Sequence, residues 1–544
     1  MNDSLKFNTL GVMLDCSRNA VMKPEVVKKY IDIISDMGYN CLMLYTEDTY
    51  EIDGEPYFGH NRGRYSQAEL IEIDTYAKSK GVELVPCIQT LAHIGAIFRW
   101  PCYNKIHDCN DIMLSDCDET YSLIEKMFAT LNRCFTSRKV NIGMDEAHML
   151  GRGKYQDING YVDRFDILLK HLNRVAQIAK KYGFELLMWG DMFFRILNQS
   201  SGGDYENGIG AKTIPDKVRS MIPDNVNLIY WDYYSTNKQN YCDKIKAHSE
   251  LKENIWFAGG LWTWIGFAPH NDYSIRSTQA ALSACAESGV KDVIFTVWGD
   301  DGGECSRFAV LPSLFYASEI AKGNYDIDSI KVKFKDKFNI GFDEFMALDL
   351  LKTPNKNLKA VSCDKYFFYN DCFTGLCDTL VMDDYSAIYS EQADELEKNA
   401  QKKEYGVLFN SLAKLCRVLA LKSNLGVRTR KAYESADKEK IKQLIDDYDK
   451  LLVLIEDFYA AFEKQWMWEN KPHGFDVQDI RIGGLIMRVR HNRQRLLQFV
   501  NGDIDRIEEL EEPILDVNCR PENEKGQIYY NMWYKIVTTN VIKL

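Results

Sequence analysis

Two adjacent carboxylates, Asp145 and Glu146, close the apolar run VNIGMDE. Such a pair can divide the labour of breaking a bond to oxygen. One carboxyl gives a proton to the leaving group and later takes one from water, while the other stays ionised and steadies developing positive charge. A solvated acidic turn would explain the pair on a surface helix. At the end of an apolar run, with Arg18 and His93 at the ends of neighbouring runs, chemistry is the better reading. A lone His is more often a satisfied core residue, and His93 is singled out by its place. Trp189, Trp231, Trp262, Trp264 and Trp298 fall at or just after the ends of similar runs, as do Tyr233 and Tyr234. Indole faces suit the apolar faces of a pyranose ring, whose hydroxyls are bonded from the side. Any one of these rings could be ordinary core, but together they point to a sugar pocket.

The elements that must position these residues are strands alternating with amphipathic helices. Eight β-rich apolar runs are legible, over 7–15, 40–46, 82–90, 140–146, 185–191, 225–234, 255–264 and 292–300. The segments between them, such as PEVVKKYIDIISDMGY and DRFDILLKHLNRVAQIAKKYGF, carry helical periodicity and end near Gly. Eight βα units close a (β/α)8 TIM barrel, whose active sites sit where the strands end. An open doubly wound sheet would need a G-x-G-x-x-G turn after an early strand, and the chain has none. After residue 325 glycine becomes sparse and long helical patterns take over. The expected organisation is an α/β catalytic barrel over 1–325 followed by an α-helical domain over 326–544.

The strand ends then supply, in order, Asp15 and Arg18; Glu47 and Asp48; Gln89 and His93; Asp145 and Glu146; Trp189 and Asp191; Trp231, Tyr233 and Tyr234; Trp262 and Trp264; Trp298 and Asp300. An ordinary retaining glycosidase needs a second carboxylate about 5 Å from the acid as nucleophile. In many retaining barrels it lies at the seventh strand end, and here that strand ends GGLWTWIGF, with no acid. Asp300, Asp301 and Glu304 are possible substitutes, which keeps double displacement open. The adjacent pair suggests instead that the substrate's own 2-acetamido oxygen attacks the anomeric carbon. Glu146 would then be acid and base, and Asp145 would hold the acetamide N–H and the oxazolinium charge. A barrel that binds N-acetylated sugar without cleaving it is a further alternative, though it has no need of both acids.

On these motifs the chain resembles family 20 of the glycoside hydrolases, the β-N-acetylhexosaminidases, over about residues 7–310. LDCSR resembles the first-strand motif, which implies that Arg18 bonds the outer sugar hydroxyls. VNIGMDE resembles the catalytic G-x-D-E, with Asp145 orienting the acetamide and Glu146 as acid/base. VWGD resembles the eighth-strand W-x-E, with Trp298 walling the acetamido pocket and Asp300 in place of the acid that holds the far hydroxyls. Trp189 and Trp231 match aromatic positions of that pocket. His93 matches a relay histidine, with Glu47 or Asp48 completing the relay. The third-strand motif departs from the pattern, reading CIQTLAH where the family commonly has an acid. The acetamide-binding tyrosine of the seventh strand is missing as well, and Tyr233 is nominated in its place. The resemblance implies a compact form without the accessory domain that many members place before the barrel.

Hydrophobic residues make up 46% and charged residues 27%, and the net charge is −12, so capture of nucleic acid or anionic membrane is not expected. The start MNDSLKFNTLGVML has no signal-peptide pattern and no stretch reaches membrane-span length, so a cytoplasmic location is expected. The fifteen cysteines include no C-x-x-C pair, and Cys363, Cys372 and Cys377 lack a nearby His to complete a zinc site. Neither metal nor cofactor is expected, and the partner is a neutral oligosaccharide. KQWMWENKPHGFDVQDIRIGG, at the break between two helices, reads as a helix–helix turn with Trp466 and Trp468 in the core. Alternatively the Trp466–Arg481 segment edges the pocket of a second copy in a homodimer built through the helical domain.

Overall fold

The computed structural model describes residues 7–199, 216–352, 354, 361–401, 404–520 and 531–542. Residues 1–6, read above for a signal, and positions 402–403 of the predicted helical stretch lie outside the described residues. The chain forms two compact units, one of Met1–Leu261, Tyr273–Trp298 and Ser313–Asp326, the other of Trp262–Asp272, Gly299–Pro312 and Ile327–Leu544.

The first unit holds a closed barrel of eight parallel strands in the order β1-β8-β7-β6-β5-β4-β3-β2. They are β1 (Thr9–Asp15), β2 (Cys41–Tyr45), β3 (Glu83–Cys87), β4 (Lys139–Asn141), β5 (Glu185–Trp189), β6 (Val226–Trp231), β7 (Ile255–Gly260) and β8 (Asp292–Val297). Each lies within one of the eight runs read from the sequence or overlaps it. Their continuous apolar character follows from burial on both faces, inside the barrel and beneath the helices. Closure brings β1 against β2 and β8 so tightly that a Cβ on Gly11 would lie 2.9 Å from Ile294 Cγ2 and 3.0 Å from Cys41 Cβ. β4 is short, but its pairing runs on, since Ile142 N–H bonds Leu187 O at 2.9 Å and Trp189 N–H bonds Gly143 O at 3.3 Å. This carries the backbone in register to Gly143 and delivers Asp145 at the strand end.

The helices of this unit are bounded by the devices their sequences encode. α1 (Pro24–Met37) starts on proline and stops at Gly38, whose left-handed backbone lets its N–H reach the last turn. α2 (Gln67–Ser79) opens with a Ser66/Glu69 capping box, and α3 (Arg164–Lys181) is capped by Asp163. α4 (Asp191–Gln199) begins two residues after β5, which sets its first turn at the strand-end face.

The second unit is helical. Its core is built by α5 (Ser386–Asn399), α6 (Gly406–Lys422), α7 (Lys438–Glu469) and α8 (Phe475–Asn501). α7 buries Ile441, Leu444, Ile445, Tyr448, Leu451, Ile455, Phe458, Phe462 and Trp466, a helical stripe that ends in stacked aromatic rings. The segments that follow β7 and β8, inside the span expected for the barrel, group with this unit because buried charges fasten them to it. Asp364 accepts the N–H groups of Phe267 and Ala268 at 2.7 and 3.0 Å and faces Lys352 at 3.3 Å. Lys365 and Arg481 together grip Asp301 and Glu304, and Gln478 donates to Gly302 O at 3.1 Å. The Trp466–Arg481 segment is therefore a helix–helix turn with Trp466 buried but Trp468, expected in the core, only half-buried, and its flanking side chains hold the segment after β8. Among the described residues no helix is long and apolar enough to cross a membrane.

Candidate active site

The backbone beyond β4 turns through three left-handed residues, Gly143, Met144 and Glu146 (φ 71°, 67° and 50°). Two of these carry side chains, a strain of about 1–2 kcal/mol per residue that surrounding bonds must hold. Gly143 is required, because a Cβ there would lie 2.0 Å from Gln89 Oε1. Gln89 uses the space to accept Met144 N–H at 3.1 Å and to donate from Nε2 to Asp145 Oδ1 at 2.7 Å and Tyr45 OH at 2.9 Å. The glutamine that looked like a departure at the third strand is thus the donor that orients Asp145.

The other oxygen of Asp145, Oδ2, lies 3.4 Å from His93 Nε2. Burial alone would raise Asp145 and lower His93. Their mutual attraction reverses both, helped at Asp145 by the Gln89 bond, leaving Asp145 below the usual carboxylate range and pushing His93 up to about 10. At neutral pH this is a carboxylate facing an imidazolium. His93 also has a left-handed backbone (φ 54°), held by its N–H on Asp111 Oδ2 at 3.1 Å.

Glu146 stands in different surroundings. Its side chain is 37% exposed, against 10% for Asp145. Oε2 lies 3.6 Å from His93 Nε2, and Oε1 accepts Arg195 Nη2 at 3.1 Å. Its N–H donates to Asp191 Oδ2 at 3.1 Å, the oxygen that also accepts Arg195 Nε at 3.0 Å. Asp191 is fully buried, and its Oδ1 meets no hydrogen-bond donor among the described residues. Burial, joined by the charge of Asp145 and opposed by Arg195, pushes Asp191 up to about 7.

On the β1 and β2 side, Arg18 Nη1 lies 3.1 Å from Glu47 Oε1, and the guanidinium stands over the rings of Tyr45 and Trp298 at 5.1 and 5.2 Å. Burial raises Glu47, against the pull of Arg18. Asp48 turns elsewhere, pairing with Arg62 Nε at 2.9 Å. The aromatic members also meet. Trp298 Nε1 donates to Tyr233 OH at 3.1 Å, Tyr233 stacks on Trp231 at 5.2 Å, and Trp189 lies 6.3 Å from Trp298. Arg18, Glu47, His93, Asp145, Glu146, Trp189, Trp231, Tyr233 and Trp298 therefore belong to one group of strand-end residues in the first unit. Trp262 and Trp264 belong to the second unit, where their rings lie 4.9 Å apart, and Asp300 sits there in the turn after β8. Among the described residues no three His, Cys, Asp or Glu side chains are grouped to hold a metal ion.

Comparison with known proteins matches residues 7–248 to the glycosyl hydrolase family 20 catalytic domain and residues 343–529 to the glycoside hydrolase 20C C-terminal domain. The chain belongs to glycoside hydrolase family 20. Similar curated proteins are hexosaminidase D of Homo sapiens, 22% identical over 253 residues (43% of this chain, 46% of the human protein), and hexosaminidase D of Bos taurus, 22% identical over 246 residues (43% and 63%). The matched region spans less than two thirds of the length of either relative. Among solved structures, the Vibrio harveyi GH20 exo-β-N-acetylglucosaminidase with N-acetylglucosamine is 15% identical, covering 63% of this chain and 59% of that one at a TM-score of 0.46. The Bacteroides fragilis β-N-acetylhexosaminidase is 20% identical, covering 61% and 70% at 0.45.

Besides the strand residue Tyr45, two residues that touch this strand-end group escaped the sequence reading. Asp111 lies far along the loop after β3, beside a short hairpin (His107–Cys109 with Ile112–Met113) that has no periodic signature. Arg195 had a usable signal, since it follows Asp191 at i+4 on a helix that starts at a strand end.

Proposed function

We propose that this family 20 chain is an exo-acting β-N-acetylhexosaminidase that releases terminal β-linked GlcNAc or GalNAc with retention, using the substrate's acetamide as nucleophile. The observation that carries this is the contrast within the Asp145–Glu146 pair. Asp145 is buried, with His93 and Gln89 favouring its charged form. Such a carboxylate suits an acetamide N–H and the positive charge of an oxazolinium ring. Glu146 is more open and suits proton exchange with a leaving group and with water.

In this mechanism Arg18 and Glu47 bond sugar hydroxyls, and Trp189, Trp231, Tyr233 and Trp298 enclose the acetamide. The Nε1 of Trp189 is buried and donates to no described residue, so it is available to a ligand acceptor. His93 balances the charge of Asp145 through both steps. Trp262 and Trp264 enter this reading from their strand-end positions and Asp300 from the motif resemblance, while Asp48 acts through Arg62, which also bonds Asn19 Oδ1. The cysteines are all free and most are buried, which fits a reducing compartment such as the cytoplasm. Pairing of two copies through the helical unit is part of the proposal. Ile480 and Met487, two turns apart on α8, are 67% and 60% exposed, and light scattering on the eluted protein tests the pairing.

The test is hydrolysis of chromogenic β-N-acetylglucosaminide and β-N-acetylgalactosaminide, with a thiazoline mimic of the oxazolinium as inhibitor. Cleavage blocked by the thiazoline is expected, and the rate ratio gives the epimer preference. Cleavage that the thiazoline leaves untouched favours an enzyme nucleophile. Absence of both cleavage and thiazoline binding overturns the proposal.

A further inference from the structure

The roles assigned to Asp145 and Glu146 leave Asp191 and Arg195 without a part, although both touch Glu146. Asp191 is the first residue of α4, and a buried carboxylate at a helix start is electrostatically at home there. Its Oδ2 takes two donors, the backbone N–H of Glu146 at 3.1 Å and Arg195 Nε at 3.0 Å. One turn along the helix, the guanidinium is thereby fixed with Nη2 on Glu146 Oε1 at 3.1 Å and its face 5.9 Å from the Trp231 ring. Glu146 is thus held at two points, its strained backbone by Asp191 and its carboxyl by Arg195. On the far side of the carboxyl, Oε2 looks toward His93 at 3.6 Å.

We propose that Asp191, acting through Arg195, is the positioning residue for the Glu146 carboxyl, so that proton delivery to the leaving oxygen depends on this pair. The inference rests on the reading of Glu146 as acid/base. A guanidinium only donates hydrogen bonds and stays charged across the working range. It therefore fixes Oε1 and leaves Oε2 as the oxygen that carries the transferable proton. When that proton passes to the departing oxygen, the glycosidic bond breaks and the carboxylate left behind keeps its Arg195 bond. When water attacks, Oε2 takes a proton back and the original state returns. A planar fork suits this better than a mobile ammonium, so lysine should substitute only in part.

The experiment compares two β-N-acetylglucosaminides, one with 2,4-dinitrophenolate, which leaves without a proton, and one with 4-methylumbelliferone, which needs more help. kcat/KM, which reports bond cleavage, is measured for wild type, Asp191→Asn, Arg195→Met and Arg195→Lys. For Arg195→Met, the methylumbelliferyl substrate should slow on the order of 10²-fold while the dinitrophenyl substrate changes little. Asp191→Asn should show the same selectivity, and Arg195→Lys should recover part of the loss. An equal fall on both substrates means a merely structural role and overturns the proposal, as do variants that match wild type on both. Because the two rates are compared within one folded preparation, partial misfolding cannot mimic selectivity. A wild type that cleaves neither substrate overturns the acid/base reading of Glu146 and this inference with it.

Discussion

The charges beyond β4 and β5 and those around Asp301 use the same residue types and end in different states. In the helical unit every carboxylate oxygen of the group is met. Asp301 Oδ1 faces Arg481 at 3.0 Å and Oδ2 faces Lys365 at 2.9 Å, while Glu304 faces Arg481 at 3.0 Å and Lys365 at 2.6 Å. Two anions and two cations close on themselves, and the product is a fixed loop. At the strand ends the set is left incomplete. Among the described residues Asp191 Oδ1 meets no donor, Glu146 is partly open to solvent, and four non-glycine residues of the group, Glu47, His93, Met144 and Glu146, hold left-handed backbone, against Asp301 in the other network. A completed network stabilises one conformation; in the proposed mechanism the incomplete one keeps the Glu146 carboxyl able to exchange a proton, at a cost in stability.

The contrast predicts opposite phenotypes. Glu146→Gln should lower kcat/KM on poor leaving groups by about 10²–10⁴-fold and leave the melting temperature near wild type. A loss of stability in place of activity would put Glu146 in the same class as Glu304. Lys365→Met should do the reverse. It leaves the buried Glu304 and the partly buried Asp301 with Arg481 as their one remaining partner cation of the pair, so unfolding in urea should show a loss of about 3–5 kcal/mol. A loss below about 1 kcal/mol, the scale of a surface pair, would remove the distinction between the two networks.

Asp145→Asn comes next, with an expected fall of about 10²–10³-fold confined to 2-acetamido substrates and read by initial rates. The smallest effect concerns pH. The imidazole of His93 is lowered by burial and raised more by Asp145, to about 10, above its ordinary 6.5. The stabilisation it contributes is therefore complete below about 6.5 and is lost as pH rises through about 10. Between these limits the melting temperature of wild type should decline, and His93→Gln should flatten that decline. Identical slopes would mean that the Asp145–His93 pair is no stronger than a surface contact.

The barrel was legible because its strands are buried on both faces and so read as unbroken apolar runs with polar residues at one end. The same logic exposed Asp145, Glu146, His93 and Arg18, each a charged side chain where an apolar run stops. What stayed hidden depends on contacts distant in sequence. Gln89 looks like a defect until its two donors and one acceptor are seen to fit Asp145, Tyr45 and Met144. Asp111 lies in a loop without period, whereas Arg195 left one local trace, its i+4 spacing from Asp191. Grouping of the segments carrying Trp262, Trp264 and Asp300 with the helical unit rests on Asp364, Lys365 and Arg481, up to 180 positions away along the chain. No local pattern announces such pairings.

In the proposed mechanism the protein supplies an ionised Asp145 and a proton-exchanging Glu146, while the substrate supplies the nucleophile. The most direct measurement is kcat/KM of the wild-type chain on 4-nitrophenyl β-glucosaminides bearing acetyl, fluoroacetyl, difluoroacetyl and trifluoroacetyl groups on the 2-nitrogen. Each fluorine weakens the acyl oxygen as a nucleophile without moving the bond that breaks. A steep, regular fall in rate along the series is expected, whereas a flat series would place the nucleophile on the protein and overturn the proposed mechanism.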